Sequence, residues 1–262
     1  MRLNRLLDVN KISTYTLEAV DGEIGKVEEI FFEDSFYMIH YLVVNTGRWL
    51  SGRKVLLSPF AVGEADEQKR ILFIELTQEQ IKNSPPIESD QPISREYEIN
   101  YFNYYGWPPY WDNSLWPTTP SVPPPVATDS LQAPENIHLR SSKEIQGYSI
   151  DANDGGIGYV KSFIIDTQYW TIRYLEIDTR KWLLGGRHSL ISPAWVTQIS
   201  WPDRHLCIDL SRETLQNAPE YDENKPISRE YELQLFNYYG KTIYWKKYAA
   251  NLETPSPPWR TH

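Results

Sequence analysis

Residues able to do chemistry are few in this chain, and they are scattered. Five histidines, His40, His138, His188, His205 and His262, stand without metal-ligand spacing. The one cysteine, Cys207, can build neither a thiolate site nor an intrachain disulfide. The alternating run His205-Leu206-Cys207-Ile208-Asp209-Leu210 predicts a strand in which that thiol is a small, buried apolar residue. Gly155-Gly156-Ile157-Gly158 lacks the six-residue spacing of a dinucleotide fingerprint and opens a strand rather than a helix. Asp151 to Gly156 starts like a calcium loop, but the fifth position is Gly155 and the twelfth is Ser162, where glutamate is needed. Neither a Gly-x-Ser-x-Gly elbow nor a His-Glu-x-x-His pair occurs. Glu28, Glu29, Glu33 and Asp34 cluster on one strand and its turn and read as a solvated face, with weak cation binding as the alternative. The expectation is a chain with no catalytic residue, no metal and no cofactor, and hence not an enzyme.

Contact chemistry remains. The 262 residues include 10 Trp, 18 Tyr and 8 Phe, and Trp, Tyr and Arg are the types that concentrate binding energy at protein interfaces. Trp49 and Trp182 follow turns, where recognition residues tend to sit. With Arg95, Arg229, Trp107 and Trp111 they form the candidate interaction surface for a protein partner. The structural alternative has the tyrosines packing a helix onto its sheet. In that reading Glu96 and Glu230 favour the helix N-terminus, while Arg95 and Arg229 form local ion pairs. The net charge of −9 argues against direct contact with nucleic acid. No apolar run approaches the roughly 20 residues of a membrane span, and no apolar stretch follows the first charges as in a signal peptide. These features predict a cytoplasmic protein that reaches a membrane, if at all, peripherally through a partner.

The elements that must hold these residues come in two sets. Pro92-Ile-Ser-Arg-Glu-Tyr-Glu-Ile-Asn-Tyr-Phe-Asn-Tyr-Tyr-Gly106 returns as Pro226-Ile-Ser-Arg-Glu-Tyr-Glu-Leu-Gln-Leu-Phe-Asn-Tyr-Tyr-Gly240, with twelve of fifteen positions identical. The offset is 134 there and 133 before the insertion near Leu183 to Gly186, so that Asp21-Gly22 falls on Asp154-Gly155 and Tyr15 on Tyr148. Asp-Gly marks a hairpin turn in each copy. Short strand-like runs follow, over 27–32, 37–44, 54–57 and 71–75 in the first copy and 160–165 and 170–177 in the second. Thr77-Gln-Glu-Gln80 is a capping box flanked by Leu76 and Ile81. Ser94 and Ser228 are N-cap candidates, Tyr97, Tyr101, Tyr105 and Phe102 make a helical stripe, and Gly106 and Gly240 sit at the C-caps. The predicted fold is mainly β: two tandem small β-barrels, each followed by short C-terminal helices. The boundaries are 1–111 for the first domain, 112–135 for a Pro-rich linker, 136–250 for the second domain and 251–262 for a tail. The two copies either dock as an intramolecular pseudo-dimer that buries the aromatic helices or stay apart on the linker.

Tyr15 to Val27, Tyr41-Leu-Val-Val44, Gly47-Arg-Trp49 and Leu57-Ser-Pro-Phe60 resemble the PRC-barrel domain. The Ser-Arg-Glu-Tyr-Glu to Tyr-Tyr-Gly-Trp-Pro-Pro-Tyr-Trp tail is similar to the extension of stand-alone bacterial proteins of that family. The resemblance implies a non-enzymatic binding or adaptor barrel. By analogy with the H subunit of the photosynthetic reaction centre it also suggests an accessory of photosynthetic or membrane electron transport. By analogy with a ribosome maturation factor it suggests a ribosome maturation or RNA-processing accessory. The second copy departs from the pattern where Arg180 replaces Gly47 and Lys241-Thr-Ile replaces Trp107-Pro-Pro.

Overall fold

The computed structural model describes residues 5–87, 93–109, 138–180 and 187–245. The first unit runs β1 (Leu6–Asp8), α1 (Val9–Ile12), β2 (Thr16–Ala19), β3 (Gly22–Glu33), β4 (Ile39–Asn45), β5 (Lys54–Leu57), a 3-10 turn at Pro59–Ala61, β6 (Val62–Asp66), β7 (Ile71–Ile74), α2 (Gln78–Lys82) and α3 (Arg95–Tyr105). The second repeats the order: β8 (Leu139–Ser141), α4 (Ser142–Ile145), β9 (Ser149–Ala152), β10 (Gly155–Asp166), β11 (Thr171–Asp178), β12 (His188–Ile191), a 3-10 turn at Pro193–Trp195, β13 (Val196–Ser200), β14 (His205–Ile208), α5 (Arg212–Gln216) and α6 (Arg229–Tyr238).

Each unit contributes one sheet of matching path, β5-β4-β3-β2-β7-β6 and β12-β11-β10-β9-β14-β13. The ladders are antiparallel except that β2 pairs parallel with β7, and β9 with β14. Among the described residues neither path closes on itself: β5 and β6, like β12 and β13, remain its two ends, joined through the 3-10 turn. In place of the expected closed barrels the described residues show bulged sheets of open path.

Close approach of the backbone explains one repeated glycine. A Cβ on Gly25 would lie 2.1 Å from the Asn45 carbonyl oxygen, and one on Gly158 would lie 2.2 Å from that of Asp178. Both also carry positive φ, +135° and +156°, so only glycine lets the long strand bend beneath the turn that follows its neighbour.

The seventh strand of each sheet comes from the other unit. β1 pairs antiparallel with β10, Leu7 opposite Ile165, and β8 pairs antiparallel with β3, Arg140 opposite Phe32. Between them Met38 bridges Thr171; Ile39 N donates to Trp170 O at 2.7 Å, and Ile172 N to Tyr37 O at 2.8 Å. Each of these contacts has a counterpart 133 positions away, which is the geometry of a two-fold interface within a single chain. One apolar core runs through both units, and Phe32 meets Phe163 at a ring distance of 5.7 Å.

Several expectations are corrected here. The carboxylates at 28, 29, 33 and 34 do not form a solvated face. Glu29 and Glu33 are buried, and β8 and α4 lie over the group. Cys207 is partly exposed, because it occupies the outward phase between the buried Leu206 and Ile208. α3 packs on its own sheet, where Tyr101 donates to Leu56 O and accepts from Ser58 N.

Candidate interaction site

The caps expected from sequence position the helices. Thr77 and Gln80 form the capping box of α2. Ser94 and Ser228 accept from Tyr97 N and Tyr231 N at the starts of α3 and α6. Gly106 ends α3 in the left-handed region at φ 68°. Under each helix lies a repeated polar pair: Tyr41 donates to Glu98 at 3.1 Å, and Tyr174 to Glu232 at 2.7 Å. Arg95 pairs with Glu98 at 3.1 Å and Arg229 with Glu232 at 2.8 Å. Burial pushes the Glu232 carboxyl upward, opposed by the hydroxyls of Tyr174 and Tyr244. Glu230 lies in the first turn of α6, where its own backbone N–H holds its carboxyl down.

Arg95 and Arg229 are therefore built into their helices. Arg229 also lies 4.1 Å from the Trp245 ring centre. Trp107 is half-buried, stacked on Tyr105 at 4.5 Å and on Phe60 at 5.8 Å. The second unit has Ala194 and Lys241 at the corresponding places and fills the gap instead with Trp195, against Phe236 and Tyr239. Trp111 and Trp182 lie outside the described residues.

Trp49 differs from these. It follows a turn in which Thr46 Oγ1 donates to Arg53 O, Gly47 N to Asn45 Oδ1 and Trp49 N to Thr46 O. Half-buried, it forms one wall of a groove of about 680 Å³ between that turn and the bend of β3. Its lining combines Ile24, Gly25 and Val27 with the charged Lys26, Glu28 and Arg48. At the equivalent place in the second unit Lys26 becomes Tyr159, Asn45 becomes Asp178 and Gly47 becomes Arg180. There Tyr159 OH donates to Asp178 at 3.0 Å and Arg180 pairs with Asp178 at 2.6 Å. The Arg180 guanidinium beside it holds the Asp178 carboxyl well below its usual range. At these three positions the second copy thus has side chains tied to one another, where the first has Lys26, Asn45 and Gly47.

Residues 16–81 match the PRC-barrel domain. The PRC-barrel match runs from β2 to α2, so it contains the Trp49 groove and excludes both the exchanged arm β1 and the aromatic helix α3. It does not extend over the second unit, whose likeness to the first is carried by the repeated sequence and the matching sheet order. Among curated proteins, none matches the chain.

Sequence reasoning missed two clusters. At the seam, Asp166 is fully buried between Arg5 of the first unit, at 3.4 Å, and Arg173, at 3.3 Å, with Arg173 also facing the Tyr244 ring. Farther along β10, Lys161 sits between Glu176 at 3.0 Å and Glu223 at 2.9 Å, and His188 Nδ1 lies 2.6 Å from Glu176. The signal for the second cluster was a carboxylate, Glu176, at the position of Val43 in an otherwise apolar strand. Among the described residues no group of His, Cys, Asp and Glu is arranged to hold a metal, and no helix is long and apolar enough to cross a membrane.

Proposed function

We propose that the chain is a non-enzymatic adaptor made of two PRC barrels docked as an intramolecular pseudo-dimer, and that it takes a segment of a protein partner in the Trp49 groove of the first unit. The observation that carries this reading is the contrast between copies. A groove lies beside Trp49 in the first unit, while Tyr159, Asp178 and Arg180, at the positions of its lining residues Lys26, Asn45 and Gly47, are tied to one another in the second. An indole beside apolar and mixed-charge lining residues is the composition of a recognition pocket. Buried Asp166, Glu176 and Glu232 are committed to internal ion pairs at the seam, along β10 and under α6, which fits a structural role for them. The arm exchange fixes the two units relative to each other, so a partner meets a preformed surface.

The test compares the native protein with Trp49→Ala, and with a Lys26→Tyr/Asn45→Asp/Gly47→Arg chain that copies these three side chains, in affinity purification from its own cells. Both variants are expected to fold and to lose the same stoichiometric protein companion. Retention of that companion by both variants refutes the groove as the docking site.

A further inference from the structure

The seam between the units is not neutral packing, because its polar contacts have opposite polarity on its two sides. Asp8 on arm β1 accepts from Ser162 of β10 at 2.5 Å. Their counterparts 133 positions away are Ser141 on arm β8 and Glu29 of β3, and there the hydroxyl is on the arm and donates to the carboxylate on the long strand. Acid and hydroxyl have changed places. Lys143, which follows arm β8, pairs with Glu28 of the first unit at 2.9 Å, where the equivalent couple is Asn10 and Lys161. Arg140 lies between Asp34, at 3.0 Å across the seam, and the Trp201 ring of its own unit, at 3.9 Å. The first unit's version of that arm residue is the apolar Leu7, with Glu67 at the Trp201 position.

These exchanges decide what each unit accepts. Were a first unit to meet another first unit in the same register, Asp8 would face Glu29, two carboxylates in a buried contact. Were a second unit to meet another second unit, Lys143 would face Lys161 and Arg140 would face Thr167 in place of Asp34. Only the unlike pairing sets Asp8 and Glu29 each against a hydroxyl and Lys143 against a carboxylate, and like charges set directly opposite each other between strands are destabilising.

We infer that the seam is a recognition interface for the opposite kind of unit: the first unit's arm and long strand accept a second-type unit, in the same chain or in another copy of it, and reject a first-type unit. The backbone pairing alone is symmetric and permits every combination. The swapped Asp8–Ser162 and Ser141–Glu29 contacts supply the selection.

The full-length chain tests this at pH 8. Ser141→Asp, which copies the first arm onto the second, is expected to lower the melting temperature by roughly 5 °C. Adding Glu29→Ser, which copies the second seat onto the first, is expected to recover most of that loss. Ser162→Glu and its rescue by Asp8→Ser repeat the cycle on the other half, and keep the test open if one single variant fails to fold. Selection is read separately in a Cys207→Ser background after refolding at high concentration. A Leu7→Cys/Ile165→Cys pair is expected to close on oxidation, whereas Leu7→Cys/Phe32→Cys, which reports first-with-first pairing, is expected to give less than a tenth as much crosslink. Equal losses in the single and double variants, or equal crosslinking in the two traps, overturns the inference.

Discussion

Met38 forms an antiparallel bridge with Thr171, the residue that stands at its own position in the second repeat. A residue that meets its counterpart marks a two-fold axis, and here the axis passes through one covalent chain. On either side of it each unit lends its opening strand to the other. The repeat is therefore more than duplication in series: the two copies complete each other's sheets.

The halves of that seam differ in how a buried acid is treated, and pH should report the difference. Asp166 has two guanidinium partners. Its counterpart Glu33 is as deeply buried and accepts from Phe36 N, but its Oε2 has no hydrogen-bond partner among the described residues. At the Arg173 position stands His40, whose imidazole burial pushes down to about 3, leaving it neutral. Burial pushes the Glu33 carboxyl up to about 7, from 4.5. The folded state thus holds this proton more tightly than the unfolded chain does. Its contribution to stability is intact below about pH 4.5 and is lost as pH rises toward 7. Glu33→Gln, which keeps the neutral form, should match the native protein near pH 4 and exceed it at pH 8 by about 3 kcal/mol. Urea denaturation at the two pH values checks both the sign and the size.

The bend of the long strands admits no side chain. Gly25→Ala and Gly158→Ala each force a Cβ onto a carbonyl oxygen and hold alanine at positive φ. Each is expected to cost on the order of 3 kcal/mol or more, since both strain and steric overlap act. Thermal melting of the single variants would show it, and a neutral result at either site would contradict the described register.

Beneath α3, the fully buried Tyr101 hydroxyl serves both Leu56 O and Ser58 N. Tyr101→Phe leaves that carbonyl and that N–H buried, with an expected loss of about 1–3 kcal/mol by denaturant melting. The second repeat carries Leu235 here and has no such hydroxyl. Leu235→Phe adds volume without polar gain and should destabilise through overpacking alone.

Much of this was legible in the sequence because its causes are local. The Thr77–Gln80 box, the Ser94 and Ser228 caps and Gly106 at the helix end depend on residues within one turn of each other. The ion pairs of Arg95 and Arg229 are three residues long and were readable for the same reason. The arm exchange was not legible. Leu6–Asp8 and Leu139–Ser141 are only three residues each, and nothing local says which long strand they join. That omission caused the others: with β8 and α4 unplaced, Glu28, Glu29, Glu33 and Asp34 looked solvated, whereas Lys143, Ser141 and Arg140 cover or neutralise them. Cys207 was misplaced by a single phase of the strand alternation, a slip that reverses every side chain. Of the six candidate contact residues, composition could not separate Trp49 from Arg95, Arg229 and Trp107. The distinction lies in their neighbours: among the described candidates Trp49 lines the groove, whereas Arg95 and Arg229 pair within their own helices and Trp107 stacks on Tyr105.

The interlocking of the two units is open to one direct measurement. A protease site is inserted between residues 112 and 135, the purified chain is cut there, and the product is passed over a sizing column with light scattering under native conditions. Two exchanged arms and a shared core should hold the fragments together, so that both emerge in one peak at the mass of the intact chain. Fragments that separate without denaturant, each at its own mass, would show that the units are independent beads and that the seam described here is not formed.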